Sequence, residues 1–144
     1  MARFHQDSKI TLLKGSPLFE GLTRKQLAQV ARLTDDLEVP AGTVLVQEGS
    51  RGQEFFIIID GKAKVTRDGK NVTTFSDGDF FGEIALLEPV NRTATVTAAT
   101  PLRFFVVSQQ AFAGVLHTDP EIERKILRTV VRRLASLSGD PTYS

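Results

Sequence analysis

Cysteine is absent from the 144 residues, which excludes a disulfide framework, a thiol nucleophile and a zinc–thiolate centre. Histidine is nearly absent: His5 lies near one terminus and His117 follows the helical AFAGVL. A cupin-type metal enzyme needs a cluster of histidines and carboxylates, and neither histidine sits in one. No Ser–His–Asp or Cys–His set can be assembled, so no enzyme is expected, and neither a cofactor nor a metal. Charge of one sign is missing too. Lys and Arg total 18 against 17 Asp and Glu, so no global excess of positive charge argues for nucleic acid or anionic membrane. No apolar run approaches the roughly twenty residues of a membrane-spanning helix. The opening MARFHQDSK has no apolar core of the signal-peptide kind, so a cytoplasmic location is the default expectation.

What is present is 41% hydrophobic and 24% charged, the profile of one globular domain with a core. Its ends have helical patterning. In GLTRKQLAQVARL, Thr23 and Gln26 form a capping box, Leu22 and Leu27 a hydrophobic staple, and Leu27, Val30, Ala31 and Leu33 one buried face. Near the other end, Ser108 caps SQQAFAGVLH. Asp119 and Pro120 then open a longer helix with Gly139 as its stop. That helix carries Ile122, Ile126, Leu127, Val130, Val131, Leu134 and Leu137 as an apolar stripe. The stripe is wider than one sheet contact needs, which leaves part of it for a ligand or for a homodimer through this helix. Its basic residues Arg124, Lys125, Arg128, Arg132 and Arg133 are expected to form a solvated face rather than a nucleic-acid surface.

Between Leu37 and Ser108 the pattern changes to TVLVQ, EFFIII, KAKVT, NVTTF, TATVTA and RFFVV, punctuated by Asp60-Gly61, Asp68-Gly69 and Asp77-Gly78. Such short runs with turn-forming glycines predict antiparallel hairpins in a jelly-roll-like sandwich or barrel. The expected organisation is a helical segment over 1–36, a β-roll over 37–108, C-terminal helices over 109–139 and a tail over 140–144.

One stretch breaks the strand pattern: FGEIALLEPVNRTATV, residues 81–96. Gly82 permits a close backbone approach. Residues 83–87 can form a helical turn ended before Pro89, and the free N–H groups at its start suit an anion. Arg92 offers a two-point donor to phosphate, Thr93 a hydroxyl donor, and Glu83 an acceptor for a sugar hydroxyl. An anion beside a sugar hydroxyl describes a nucleotide. From spacing alone, however, a Glu–Arg pair flanking a turn more often ties down a loop.

The stretch FGEIALL followed by RTATV closely resembles the phosphate-binding cassette of cyclic nucleotide-binding domains. These are found in regulatory subunits of cAMP-dependent kinase, cyclic-nucleotide-gated channels and the bacterial catabolite activator family. The resemblance extends to SPLFEGL at 16–22, EGSRGQEFFIIIDGKAKV at 48–65, SDGDFFGE at 76–83 and the last helix with Arg132-Arg133-Leu134. It implies a mainly β cyclic nucleotide-binding roll with N-terminal helices, a short cassette helix and C-terminal helices. It also implies that Glu83 takes the ribose 2′-hydroxyl with Gly82 against the sugar. Arg92 would hold the cyclic phosphate, helped by Thr93 and by N–H groups near Ile84 and Ala85. Val65, Thr73 and Phe75 would line the base pocket, and Arg133 and Leu137 would close a lid over it. The expected ligand is cAMP, with cGMP the alternative because Thr93 occurs in both kinds of site. The output would pass to an effector protein or a fused domain. Two other readings are a transcription regulator's sensor and a domain that kept the fold, lost the ligand and binds only protein. The intact Glu83, Arg92 and Thr93 argue against the second of these.

Overall fold

The computed structural model describes residues 6–82, 85 and 90–137, and for Gln6, Asp7, Arg133, Leu134, Ser136 and Leu137 the backbone alone. Among the described residues four α-helices flank antiparallel sheet: α1 Gln6–Lys14 and α2 Arg24–Leu33 before it, α3 Gln109–Thr118 and α4 Pro120–Leu137 after it. A single 3-10 turn, Pro17–Phe19, joins α1 to α2. The strands are β1 Asp35–Val39, β2 Val44–Val46, β3 Arg51–Gly52, β4 Glu54–Asp60, β5 Ala63–Arg67, β6 Lys70–Phe75, β7 Phe80–Phe81, β8 Val90–Asn91, β9 Thr95–Ala98 and β10 Leu102–Ser108. Among the described residues they form two four-stranded sheets, ordered β1-β10-β4-β7 and β2-β9-β5-β6, and a small ribbon β3-β8. The fold is the mainly β, jelly-roll-like architecture expected, though the sheets stay distinct and do not close into one barrel.

Side-chain alternation explains the layering. In β4, Phe55 and Ile57 point to the helices while Phe56 and Ile58 point to the second sheet, and all four are buried. In β10, Phe105 and Val107 face the helices and Phe104 and Val106 face inward. Strands covered on both faces need apolar residues at every position, which is why EFFIII and RFFVV are continuous runs. The second sheet is covered on one face only and alternates: in β9, Val96 and Ala98 are buried and Thr95 and Thr97 less so. The molecule therefore has a helix-on-sheet core around Phe19, Phe55 and Phe112 and a sheet-on-sheet core around Phe56, Phe81 and Phe104.

Local signals place the elements. Thr23 Oγ1 accepts from Gln26 N (3.2 Å) and Gln26 Oε1 accepts from Thr23 N (2.9 Å), the reciprocal box expected. Thr23→Ala should cost about 1 kcal/mol of stability, measured by urea unfolding, and an unchanged midpoint would show that the cap contributes nothing. Ser108 accepts from Ala111 N, and Asp119 Oδ1 accepts from Glu121 N and Ile122 N, so both C-terminal helices start where expected. The β5–β6 hairpin turns on Asp68 (φ 53°) and Gly69 (φ 76°), the pair of positive angles that a two-residue turn of the right twist requires. The stop at Gly139 lies outside the described residues.

The wide stripe on α4 divides. Ile122 and Ile126 are fully buried and Val130 packs against the same core, while Leu127 and Val131 are exposed. The base of α4 is also tied to α2: Lys125 Nζ donates to Gln26 Oε1 (2.9 Å), and Gln29 Nε2 donates to Asp119 Oδ2 (3.2 Å). Arg124, Arg128 and Arg132 are exposed, as a solvated basic face would be.

Candidate functional site

Between the sheets, at the end away from the helices' core, a cavity of about 350 Å³ opens. Its wall is apolar: Val65 from β5, Thr73 and Phe75 from β6, Val96 from β9 and Val46 from β2. Register explains the wall, because Val65 stands opposite both Thr73 and Val96 and their side chains share one face. Below it runs a ladder of parallel rings. Phe75 stacks on Phe81 (centroids 5.2 Å apart, 11° between planes) and Phe81 on Phe56 (4.8 Å, 12°).

The polar end belongs to Arg92, which follows β8. The β3–β8 ribbon fixes its backbone: Arg92 N donates to Ser50 O (2.7 Å), and Gly49 N donates to Arg92 O (2.8 Å). Its side chain runs inward, with Cζ 6.0 Å from the Phe56 ring centroid and Nη2 donating to the Glu54 carbonyl (2.8 Å). Two glycines make this course available. A Cβ on Gly52 would lie 2.5 Å from Arg92 Nε, and a Cβ on Gly82 would lie 2.5 Å from Nη1 and 2.6 Å from the Glu54 carbonyl oxygen. Gly82 also has φ +81°, a conformation that side-chain-bearing residues rarely adopt. The guanidinium thus lies in a slot between two bare backbones with an aromatic face nearby.

Burial pushes the Arg92 pKa below its ordinary value, and the Glu54 charge partly restores it. The group stays a cation, but one partly stripped of water. No carboxylate among the described residues forms a salt bridge with it within 4 Å. A cation so placed, with the rest of its donor fork facing a cavity, is suited to an anionic ligand group.

Of the residues expected at the site, Gly82, Ala85, Arg92, Thr93, Val65, Thr73 and Phe75 all line this one cavity. Ala85 is buried and its N–H donates to the Gly82 carbonyl (3.1 Å). Glu83 and Ile84, and most of the helical turn expected over 83–87, lie outside the described residues. Arg133 and Leu137 fall in the last turns of α4, with their side chains likewise outside. Sequence reasoning missed Gly52, which looks like any loop glycine until Arg92 is seen against it. It missed Arg67 as well, whose place at the head of an Asp-Gly turn suggests only a solvated charge. Arg67 lines the cavity and its Nε donates to the Thr93 carbonyl (2.9 Å).

A sandwich with a partly dehydrated arginine at one end of an apolar cavity has the chemistry to take a small ligand that is anionic at one end and flat or apolar at the other. The chain belongs to the cyclic nucleotide-binding domain family, whose model matches residues 36–119. It is 34% identical over 115 residues to a cAMP-dependent protein kinase regulatory subunit of Schizosaccharomyces pombe, an alignment covering 79% of this chain and 28% of that protein. It is 30% identical over 128 residues to a CRP-like cAMP-activated global transcriptional regulator of Mycobacterium tuberculosis, covering 85% of this chain and 57% of that one. The chain therefore spans between about a quarter and somewhat over half the length of these relatives. Among solved structures it is similar to the N-terminal domain of a transcriptional regulator from Streptomyces coelicolor (TM-score 0.81, 28% identity, 90% of this chain and 96% of that one). Both protein relatives are named as regulators. Among the described residues no helix is long and apolar enough to cross a membrane.

Proposed function

We propose that this chain is a cyclic nucleotide sensor module whose preferred ligand is cAMP, and that it is not an enzyme. The observation that carries the proposal is Arg92, held between Gly52 and Gly82 at the polar end of an apolar cavity large enough for a purine. Arg92 takes the cyclic phosphate, with the Thr93 hydroxyl beside it; the Ala85 N–H, expected to help, is instead given to the Gly82 carbonyl. Glu83 accepts from the ribose 2′-hydroxyl, and Val65, Thr73 and Phe75 form the wall against which the base lies. The two relatives named for cAMP support adenine over guanine.

The signal is a movement of α4. Its base is fixed by Ile122 and Ile126, while Arg133 and Leu137 near its end cover the base when ligand is bound. A ligand that touches these residues only in the covered arrangement shifts the population toward it by that difference in affinity. The exposed Leu127 and Val131 give the same helix a surface for an effector, a fused domain or a second copy of this chain. A cytoplasmic location follows if the ligand is the intracellular messenger.

Side-by-side calorimetric titration with cAMP and cGMP tests the reading. One-site saturation by cAMP, tighter than by cGMP, is expected. Heat from neither nucleotide would leave the chain as a protein-binding module only, and tighter cGMP binding would overturn the choice of base.

A further inference from the structure

Glu54, the first residue of β4, meets Arg92 in two ways. Its carbonyl accepts from Arg92 Nη2 (2.8 Å), and its side chain stands near the same guanidinium. Alternation along the strand sets that direction. Phe55 faces the helices and Phe56 the second sheet, so Glu54 projects on the Phe56 face, and the Arg92 guanidinium lies over the Phe56 ring. The two side chains nevertheless form no salt bridge within 4 Å. Burial lowers the Arg92 pKa and the Glu54 charge offsets part of that lowering, so the charges act on each other across the gap. Glu54 is exposed and forms no part of the cavity wall. It is an acid held beside, but not against, the cation at the polar end of the cavity.

An anion that reaches Arg92 also comes close to the Glu54 carboxylate, and like charges repel. That repulsion grows with the charge of the ligand. A cyclic phosphodiester carries one negative charge, whereas a phosphate monoester carries about −1.5 to −2 near pH 7. One fixed carboxylate therefore opposes the monoester up to about twice as strongly as the cyclic diester. We infer that Glu54 is a specificity-determining residue that limits the charge admitted at the phosphate end, tolerating a monoanionic cyclic phosphate and penalising the monoester of the same nucleoside. It acts across space and touches neither ligand. Because Glu54 is exposed, water and salt weaken the effect to a few-fold for each ligand charge. The inference rests on the assignment of the cavity to a cyclic nucleotide.

The test is calorimetric titration of the wild-type chain and Glu54→Gln at low ionic strength, with cAMP directly and with 5′-AMP by displacement of bound cAMP. Glutamine keeps the shape of the side chain and the backbone carbonyl that accepts from Arg92, and removes only the charge. The Kd for cAMP should fall about four-fold and the Kd for AMP about eight- to sixteen-fold, so the gap between them narrows about two- to four-fold. If Glu54 only shapes the start of β4, both nucleotides will shift by one factor or not at all. That result overturns the inference and leaves the sensor reading standing, as does a variant from which AMP displaces cAMP no better than from wild type. If the wild-type chain binds neither nucleotide, both fall.

Discussion

Arg92→Ala is expected to weaken cyclic nucleotide binding by about 2–5 kcal/mol, a loss of roughly thirty-fold to several-thousand-fold. The size follows from where the cation stands. A solvated surface arginine contributes little to holding an anion, because water screens the pair. Arg92 is different in having given up part of its water before any ligand arrives, and burial lowers its pKa for that reason. Its fork is oriented by one bond to the Glu54 carbonyl, with the Phe56 ring 6.0 Å from Cζ. A phosphate entering the cavity meets a donor set already in place, so little ordering entropy remains to be lost. Removing the side chain leaves the phosphate in a site without its cation. The ligand-free fold should be nearly unaffected, because the β3–β8 ribbon holds residue 92 through backbone bonds that alanine also makes. Calorimetry gives the affinity and thermal unfolding the stability. An affinity within three-fold of wild type would remove Arg92 from the site.

The sequence was informative where a physical pattern repeats. Continuous apolar runs marked β4 and β10 because both of their faces are covered, and alternating runs marked β5 and β9 because one is. The capping box at Thr23 and the caps at Ser108 and Asp119 are local chemistry, so the helix starts could be read without tertiary knowledge. Strands of two residues cannot show a period, which is why β3, β7 and β8 were invisible although β3 and β8 position Arg92. Strand β1 was missed for another reason. DDLEV carries three acids, Leu37 is exposed, and Asp36 is there to accept two bonds from Arg103 on the adjacent β10 (3.0 and 2.7 Å). Its pairing is set by that partner strand and not by its own hydrophobicity. Helix α1 falls within the helical segment expected over 1–36, but nothing in QDSKITLLK marks a cap from which its own bounds can be read. At the site, residue chemistry marks Gly82, Glu83, Arg92 and Thr93 as able to hold a nucleotide, but only the family resemblance favours that over a tied-down loop, and the cavity wall comes from the resemblance alone. Gly52 and Arg67 needed the fold, because each acts on a residue far away in sequence.

Gly52 and Gly82 give the second large effect, and the two should separate binding from stability. A Cβ on Gly52 would meet Arg92 side-chain atoms alone within its nearest contacts, at 2.5, 2.7 and 2.9 Å. Those atoms belong to a flexible side chain that can swing aside, and no positive φ is imposed at this position. Gly52→Ala should therefore fold with a melting temperature close to wild type while the guanidinium leaves its slot. Ligand affinity is then expected to fall by about ten-fold or more, since a misplaced donor fork loses the two-point geometry that distinguishes arginine from a diffuse charge. A Cβ on Gly82 would meet Arg92 Nη1 at 2.5 Å and, in addition, the Glu54 carbonyl oxygen at 2.6 Å, on a residue with φ +81°. Backbone cannot swing aside, and a side-chain-bearing residue in the left-handed region costs about 1–2 kcal/mol by itself. Gly82→Ala should lose binding and at least about 2 kcal/mol of stability together. Thermal unfolding and calorimetry on both variants decide the matter. If Gly52→Ala keeps full affinity, Arg92 does not work from the slot described, whereas equal destabilisation by both substitutions would mean that Gly52 is a packing glycine with no special relation to the arginine.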